Sequence, residues 1–208
     1  RTVNLHTTSS PSTPDCLTCT NHSSLPPCLH SRVLLSPDYT AYLLSCQGPS
    51  IPYTVLVSLP SNTIHTILDR NTHITQLMKD RDMPVIQTIS LKSEQVETMG
   101  MIKIKLVMPK VEKDHEQLAV VVMMAKTPGE QQVDHRWGCG VECYLASSSQ
   151  VVVAMVDVRG SAGQGTRWQQ SVRGRLGVME TQDMEQVLRF LTGLKYIDQS
   201  QIGVYGQG

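Results

Sequence analysis

The chain has 208 residues, with 18 lysines and arginines against 18 aspartates and glutamates. That balance leaves no basic field for nucleic acid or an anionic membrane surface. The length is enough to bury a sizeable core, as one large domain or two small ones. No apolar run reaches the roughly 18 residues of a spanning helix, and the longest, Leu118 to Ala125, reads as a core strand.

Arg1 to Pro14 is rich in Ser, Thr and Pro and reads as a loop. Asn21-His22-Ser23 is an N-glycosylation acceptor, which places a chain that uses it in an oxidising compartment. Cys16 and Cys19, with His22, Cys28 and His30 close by, could hold zinc or form disulfides. From Arg32 to Leu68 short β-prone runs alternate with turns: RVLLS, AYLLSC, YTVLVSL and TIHTIL. Such regular spacing predicts an antiparallel blade or sandwich. Asn71 to Arg81 has a weak helical pattern in Ile74, Leu77 and Met78 that stops before Pro84. The domain boundary is set there, giving an all-β part over 1–70 and a second part over 71–208.

Met101 to Met108 alternates Ile102, Ile104 and Leu106 with Lys103 and Lys105, a half-exposed strand expected at a sheet edge. Cys139 and Cys143 read as buried thiols or a local bridge in preference to a metal site with His135. Val151 to Val156 is a β-branched run with the look of a strand buried on both faces. Gly160, Gly163 and Gly165 punctuate the following loop, and the next helix is expected well downstream of them. From Val178 to Lys195, Met184, Val187, Leu188, Leu191 and Leu194 recur at spacings of three and four, one apolar helical face. Gln201 to Tyr205 is a further strand, and strand–loop–helix–strand predicts a parallel pair joined by a crossover. A doubly wound sheet needs more strands than these, so the sequence reads as an internal piece with roughly a hundred or more residues to follow.

Two constellations in this stretch invite a functional reading. Gly160 to Gly165 follows a strand but is spaced G-x-x-G-x-G, whereas a dinucleotide cradle needs G-x-G-x-x-G opening into a helix, so a packing loop is expected. Asp157 and Arg159 are placed to pair across that loop. The second is the turn at Gly206-Gln207-Gly208. A strand ending in a glycine-bounded turn is where an α/β-hydrolase carries its nucleophile, as G-x-S-x-G. The residue in the nucleophile's place here is Gly208. Ser161 is the nearest hydroxyl, but it sits mid-loop with no histidine placed to activate it.

D-V-R-G-S-A-G-Q-G (Asp157 to Gly165), R-G-R-L-G (Arg173 to Gly177), Y-I-D (Tyr196 to Asp198) and the closing V-Y-G-Q-G resemble the dipeptidyl peptidase IV family of serine peptidases. The resemblance runs from about Cys16 to Gly208. It implies the end of a β-propeller followed by the N-terminal half of an α/β-hydrolase domain. It also implies disulfides Cys16–Cys19 and Cys28–Cys46, which leaves no zinc site, no other metal and no cofactor. Val158 and Ala162 stand where the family has glycines, so a rearranged loop is expected. In the active members the strand matching Leu118 to Ala125 runs into a tyrosine that donates to the oxyanion. Ala125 occupies that position, so both Gly208 and Ala125 are degenerate catalytic positions.

Gly-Gln-Gly at the elbow, Lys79 to Pro84 and Thr127 to Gln131 look like the inactive dipeptidyl-peptidase-like proteins six and ten. Tyr144-Leu145-Ala146-Ser147 looks more like the active enzyme. Membership among the inactive relatives implies a homodimeric, single-pass type II glycoprotein at the plasma membrane, with its ectodomain outside. It also implies association with A-type voltage-gated potassium channel subunits. The rival expectations are an active dipeptidyl peptidase releasing N-terminal X-Pro or X-Ala, and a truncated product that never folds.

Overall fold

The computed structural model describes residues 17–18, 25–59, 61–94, 100–110, 117–125 and 127–206. It divides into two compact units, Arg1–Arg81 with His135–Gly138, and Asp82–Asp134 with Cys139–Gly208.

The first unit is built on strands β1 (Cys28–Leu35), β2 (Ala41–Pro49), β3 (Tyr53–Ser58) and β4 (Thr63–Asp69). They pair antiparallel in sequence order, the meander of which propeller blades are made. Alternation fixes the register. Tyr42, Leu44 and Cys46 on β2 stand opposite Val57, Val55 and Tyr53 on β3, and all six are buried. A slip of one residue would turn that whole face to solvent. The polar ends of the two tyrosines are satisfied: Tyr42 Oη donates to Asn62 Oδ1, and Tyr53 Oη donates to the Pro26 carbonyl at 3.1 Å. Cys28 and Cys46 are joined in a disulfide between β1 and β2. Helix α1 (Thr72–Lys79) has no buried residue and lies in the first unit, which runs through Arg81 rather than ending at residue 70.

The second unit is a five-stranded mixed sheet of β5 (Val85–Lys92), β6 (Met101–Met108), β7 (Leu118–Met124), β8 (Val152–Asp157) and β9 (Ile197–Tyr205). Their order is β5-β6-β8-β7-β9. β5 and β6 are antiparallel to their neighbours, while β7, β8 and β9 run parallel. Two sequence expectations need correction. β6 is not an edge strand, because β5 covers it with a complete eight-residue register. β8 and β9 are parallel but do not pair, since β7 lies between them and hydrogen-bonds to both.

Helix α2 (Val141–Ser149) connects β7 to β8, and α3 (Thr166–Gln170) and α4 (Met179–Thr192) connect β8 to β9. Helices cover both sheet faces. On one side Val187 and Leu191 of α4 and Trp168 of α3 bury Ile102, Ile104, Val120, Val122, Ala154 and Val156. Each fully buried aliphatic side chain there contributes about 1.5–3 kcal/mol. On the other side Ala146 of α2 packs on Val107 and Val153. This two-sided cover explains why β8 is apolar from Val152 to Val156 instead of alternating. α3 begins directly at Gly165, so a helix does open out of the glycine loop, contrary to the expectation of a distant start.

Candidate functional site

A cavity of about 450 Å³ opens at the carboxyl ends of the three parallel strands, where open α/β sheets place their ligands. Its floor comes from Ala125 after β7, from Val158 to Ser161 after β8, and from Tyr205 and Gly206 at the end of β9. Met184 and Leu188 of α4 form an apolar wall.

The loop after β8 is held by three polar arrangements, none of which the sequence pattern specifies. Arg159 turns away from Asp157 and pairs with Asp183 of α4, its guanidinium 2.8 Å from Oδ1, with side chains 3% and 0% exposed. The Arg159 amide also donates to Asp183 Oδ2 at 2.9 Å, and its guanidinium donates to the Met179 carbonyl at 3.1 Å and to Gln182 Oε1 at 3.2 Å. Asp157 instead accepts the amides of Gln132 and Val133 at 2.8 and 2.9 Å. Burial raises the Asp157 carboxyl above the ordinary aspartate range, and those two amides work against the rise. The expected Asp157–Arg159 pair is therefore replaced by two separate braces. Each carboxylate satisfies backbone or side-chain donors that would otherwise be buried unmet.

Ser161 is buried, and its Oγ accepts the Trp168 indole N–H at 3.1 Å. That hydroxyl anchors α3. The glycines carry the backbone geometry: Gly160 and Gly163 have φ of 93° and 87°, where a side chain is strained. A Cβ on Gly160 would also stand 3.0 Å from both Val172 methyls. Val158 and Ala162 keep negative φ, so a Cβ costs nothing conformational at either position.

Ala125 is half-buried just beyond β7 and presents only a methyl group to the cavity. Gly208 lies outside the described residues, as do Cys16, Cys19 and Asn21. The described lining includes no histidine and no cysteine. Its acids are committed locally: Glu180 Oε2 accepts the Gly177 amide at 2.9 Å, and Glu185 pairs with Arg189 at 3.1 Å. The cavity can accept an apolar group; as described, it presents no nucleophile–base pair for acyl transfer.

Cys28, offered from the sequence as a possible zinc ligand, is consumed in the disulfide with Cys46. Cys139 and Cys143 stand as thiols, the first exposed and the second buried. Asp183 was not singled out from the sequence. The signal was present, since an acid four residues before Val187 and eight before Leu191 shares their apolar face and needs a buried cation.

A mixed sheet with helices on both faces and a cavity at the carboxyl ends of its parallel strands is the frame of an α/β-hydrolase. Residues 137–207 match the Prolyl oligopeptidase family. The chain is similar to curated proteins that include dipeptidyl peptidases and an inactive relative of them. It is 26% identical over 194 residues to Inactive dipeptidyl peptidase 10 of Rattus norvegicus, covering 93% of this chain and 24% of that protein. It is 25% identical over 168 residues to Probable dipeptidyl-aminopeptidase B of Pyrenophora teres f. teres, covering 79% of this chain and 18% of that protein. In fold it matches the crystal structure of Porphyromonas gingivalis dipeptidyl peptidase 4, with a TM-score of 0.77 and 23% identity over 85% of this chain and 25% of that one. The chain thus spans a quarter or less of the length of these relatives.

Proposed function

We propose that this chain is part of a non-catalytic dipeptidyl-peptidase-like ectodomain, in which the hydrolase half serves as a scaffold. The observation that carries the reading is Gly208, which supplies no oxygen or sulfur where the family's elbow holds its nucleophile. Ala125 supports it, because the methyl at the end of β7 cannot donate to an oxyanion. Losing one oxyanion donor alone costs about 10²–10³ in rate. The name of the rat relative, an inactive dipeptidyl peptidase, agrees with this reading.

On this reading the parent protein is a homodimeric plasma-membrane glycoprotein with its ectodomain outside and Asn21 as a glycan acceptor. Its partners are A-type voltage-gated potassium channel subunits, whose trafficking and gating it alters. The support for that partner is the elbow and the Lys79 to Pro84 and Thr127 to Gln131 segments, which resemble those of the inactive relatives.

The second reading is an active dipeptidyl peptidase, favoured by Tyr144-Leu145-Ala146-Ser147, which resembles the active enzyme. An assay of the complete ectodomain on a chromogenic Gly-Pro substrate separates the two. Wild type is expected to show no turnover, Gly208→Ser to remain inactive, and only Gly208→Ser with Ala125→Tyr to approach activity. Wild-type turnover that survives repurification and is blocked by a serine-directed inhibitor would overturn the proposal.

A further inference from the structure

Cys139 and Cys143 flank the start of α2. Cys139 is exposed and precedes the N-cap Gly140, while Cys143 is buried in the first turn. The two lie four residues apart at the start of one helix, and a side-chain hydrogen bond links Cys143 to Cys139. Burial, helped by that hydrogen bond, pushes the Cys143 thiol up to about 12, which keeps its proton in place at rest. The first unit meanwhile holds the Cys28–Cys46 disulfide, and structural disulfides persist in oxidising compartments. In such a setting an accessible cysteine held against a second one is the arrangement of an attacking thiol with its resolving partner.

We propose that Cys139 and Cys143 form a second, reducible disulfide, closed by exchange with a disulfide oxidant such as oxidised glutathione. The exposed Cys139 thiolate attacks one sulfur of the oxidant, forming a mixed disulfide and releasing one thiolate. Cys143 then attacks the Cys139 sulfur and expels the second thiolate, which takes up the Cys143 proton. The chain loses two protons and two electrons, and the oxidant takes up both to become two thiols. Among the described residues no group of three or more His, Cys, Asp or Glu is placed to hold a metal ion.

The link would act where α2 is weakly fixed. Gly140 provides no side-chain cap; the helix start is held by the Gly140 amide on Glu142 Oε1 at 3.0 Å. A bond between residues 139 and 143 restrains that turn, and through it the seat of Ala146 on Val107 and Val153.

The test is a peptide map of the secreted chain, alkylated under denaturing conditions and digested with trypsin without reduction. Cys139 and Cys143 fall in one peptide, between Arg136 and Arg159. The expected result is that this peptide carries no alkyl group, is two hydrogens lighter than the dithiol, and stays linked after a second cleavage at Glu142. In a graded glutathione series both cysteines should become alkylated together, before Cys28 and Cys46 do, because Cys139 is exposed and Cys46 is buried. The Cys143→Ser variant should leave Cys139 alkylated or capped by glutathione. Should that variant fail to fold, the wild-type map decides alone. Two alkylated thiols alongside an intact Cys28–Cys46 bridge would overturn the proposal, as would either cysteine bridged elsewhere. If Cys28–Cys46 is also open, the chain is first reoxidised with glutathione, and persistence of the two thiols then overturns it equally.

Discussion

Arg159 and Asp183 form a buried ion pair, with the guanidinium 2.8 Å from Oδ1, that ties the loop leaving β8 to α4. Twenty-four residues of chain separate them, and the loop they fix lines the cavity at the sheet's carboxyl edge.

Removing one partner is the severe change. Asp183→Ala leaves an arginine that is 3% exposed without its counter-charge, which typically costs about 3–5 kcal/mol. Replacing both, as Arg159→Met with Asp183→Leu, is expected to cost clearly less than either single charge deletion, because no orphan charge remains. Chemical denaturation of the three variants beside wild type measures this. A single variant as stable as wild type would mean that Arg159 finds another partner.

Ser161 is expected to matter for stability and not for chemistry. Ser161→Ala leaves the Trp168 indole N–H without its acceptor in a fully buried position, a loss of about 1–3 kcal/mol. A serine-directed phosphonate probe should label wild type and variant equally poorly. Labelling that vanishes with Ser161→Ala would make Ser161 a reactive nucleophile after all.

The elements read most easily from sequence were those with a strong period. β2 and β3 alternate, β8 is a run of apolar, mostly β-branched residues, and α4 repeats every three to four residues, and each formed within three residues of expectation. β5, α2 and α3 carried no such signal. α2 buries only Cys143 and Ala146, and α3 is five residues anchored by one tryptophan. Strand order was also illegible, since β7 enters between β8 and β9 through pairing across distant parts of the chain. At the cavity, Ala125 and the glycines could be named from the sequence, because a missing side chain is visible in any motif. The partners of Arg159 and Asp157 could not, because either charge has several candidates until the backbone places Asp183 and the Gln132 and Val133 amides.

The Cys28–Cys46 disulfide closes β1 onto β2 across 18 residues of sequence. Cross-linking a loop of that size restricts the unfolded chain and stabilises by about 3 kcal/mol on the entropic account. Cys46→Ser is therefore expected to lower the denaturation midpoint of the first unit, with added loss because residue 46 is buried on β2 opposite Tyr53 of β3. The same non-reducing map reports whether Cys16 and Cys19 pair, as the family resemblance implies. Equal midpoints for wild type with and without reductant would show that the bridge contributes nothing.

Asp157 gives a pH dependence opposite in sign to that of a typical surface carboxylate. Burial is the largest influence and raises its folded-state pKa above the ordinary aspartate value, while the amides of Gln132 and Val133 only partly offset it. The folded chain therefore binds this proton more tightly than the unfolded chain does. Its contribution to stability is fully present below the unfolded pKa and is lost as pH rises through the folded one. Asp157→Asn cannot ionise, though it gives up one of the two amide bonds, which lowers stability at every pH. The difference in unfolding free energy, wild type minus Asp157→Asn, is thus expected to be largest in acid and to shrink as pH climbs out of the carboxylate range. Denaturation curves for both proteins across that range measure it. A difference that grows with pH would mean that the two amide bonds outweigh burial and that Asp157 sits in the fold as a favoured anion.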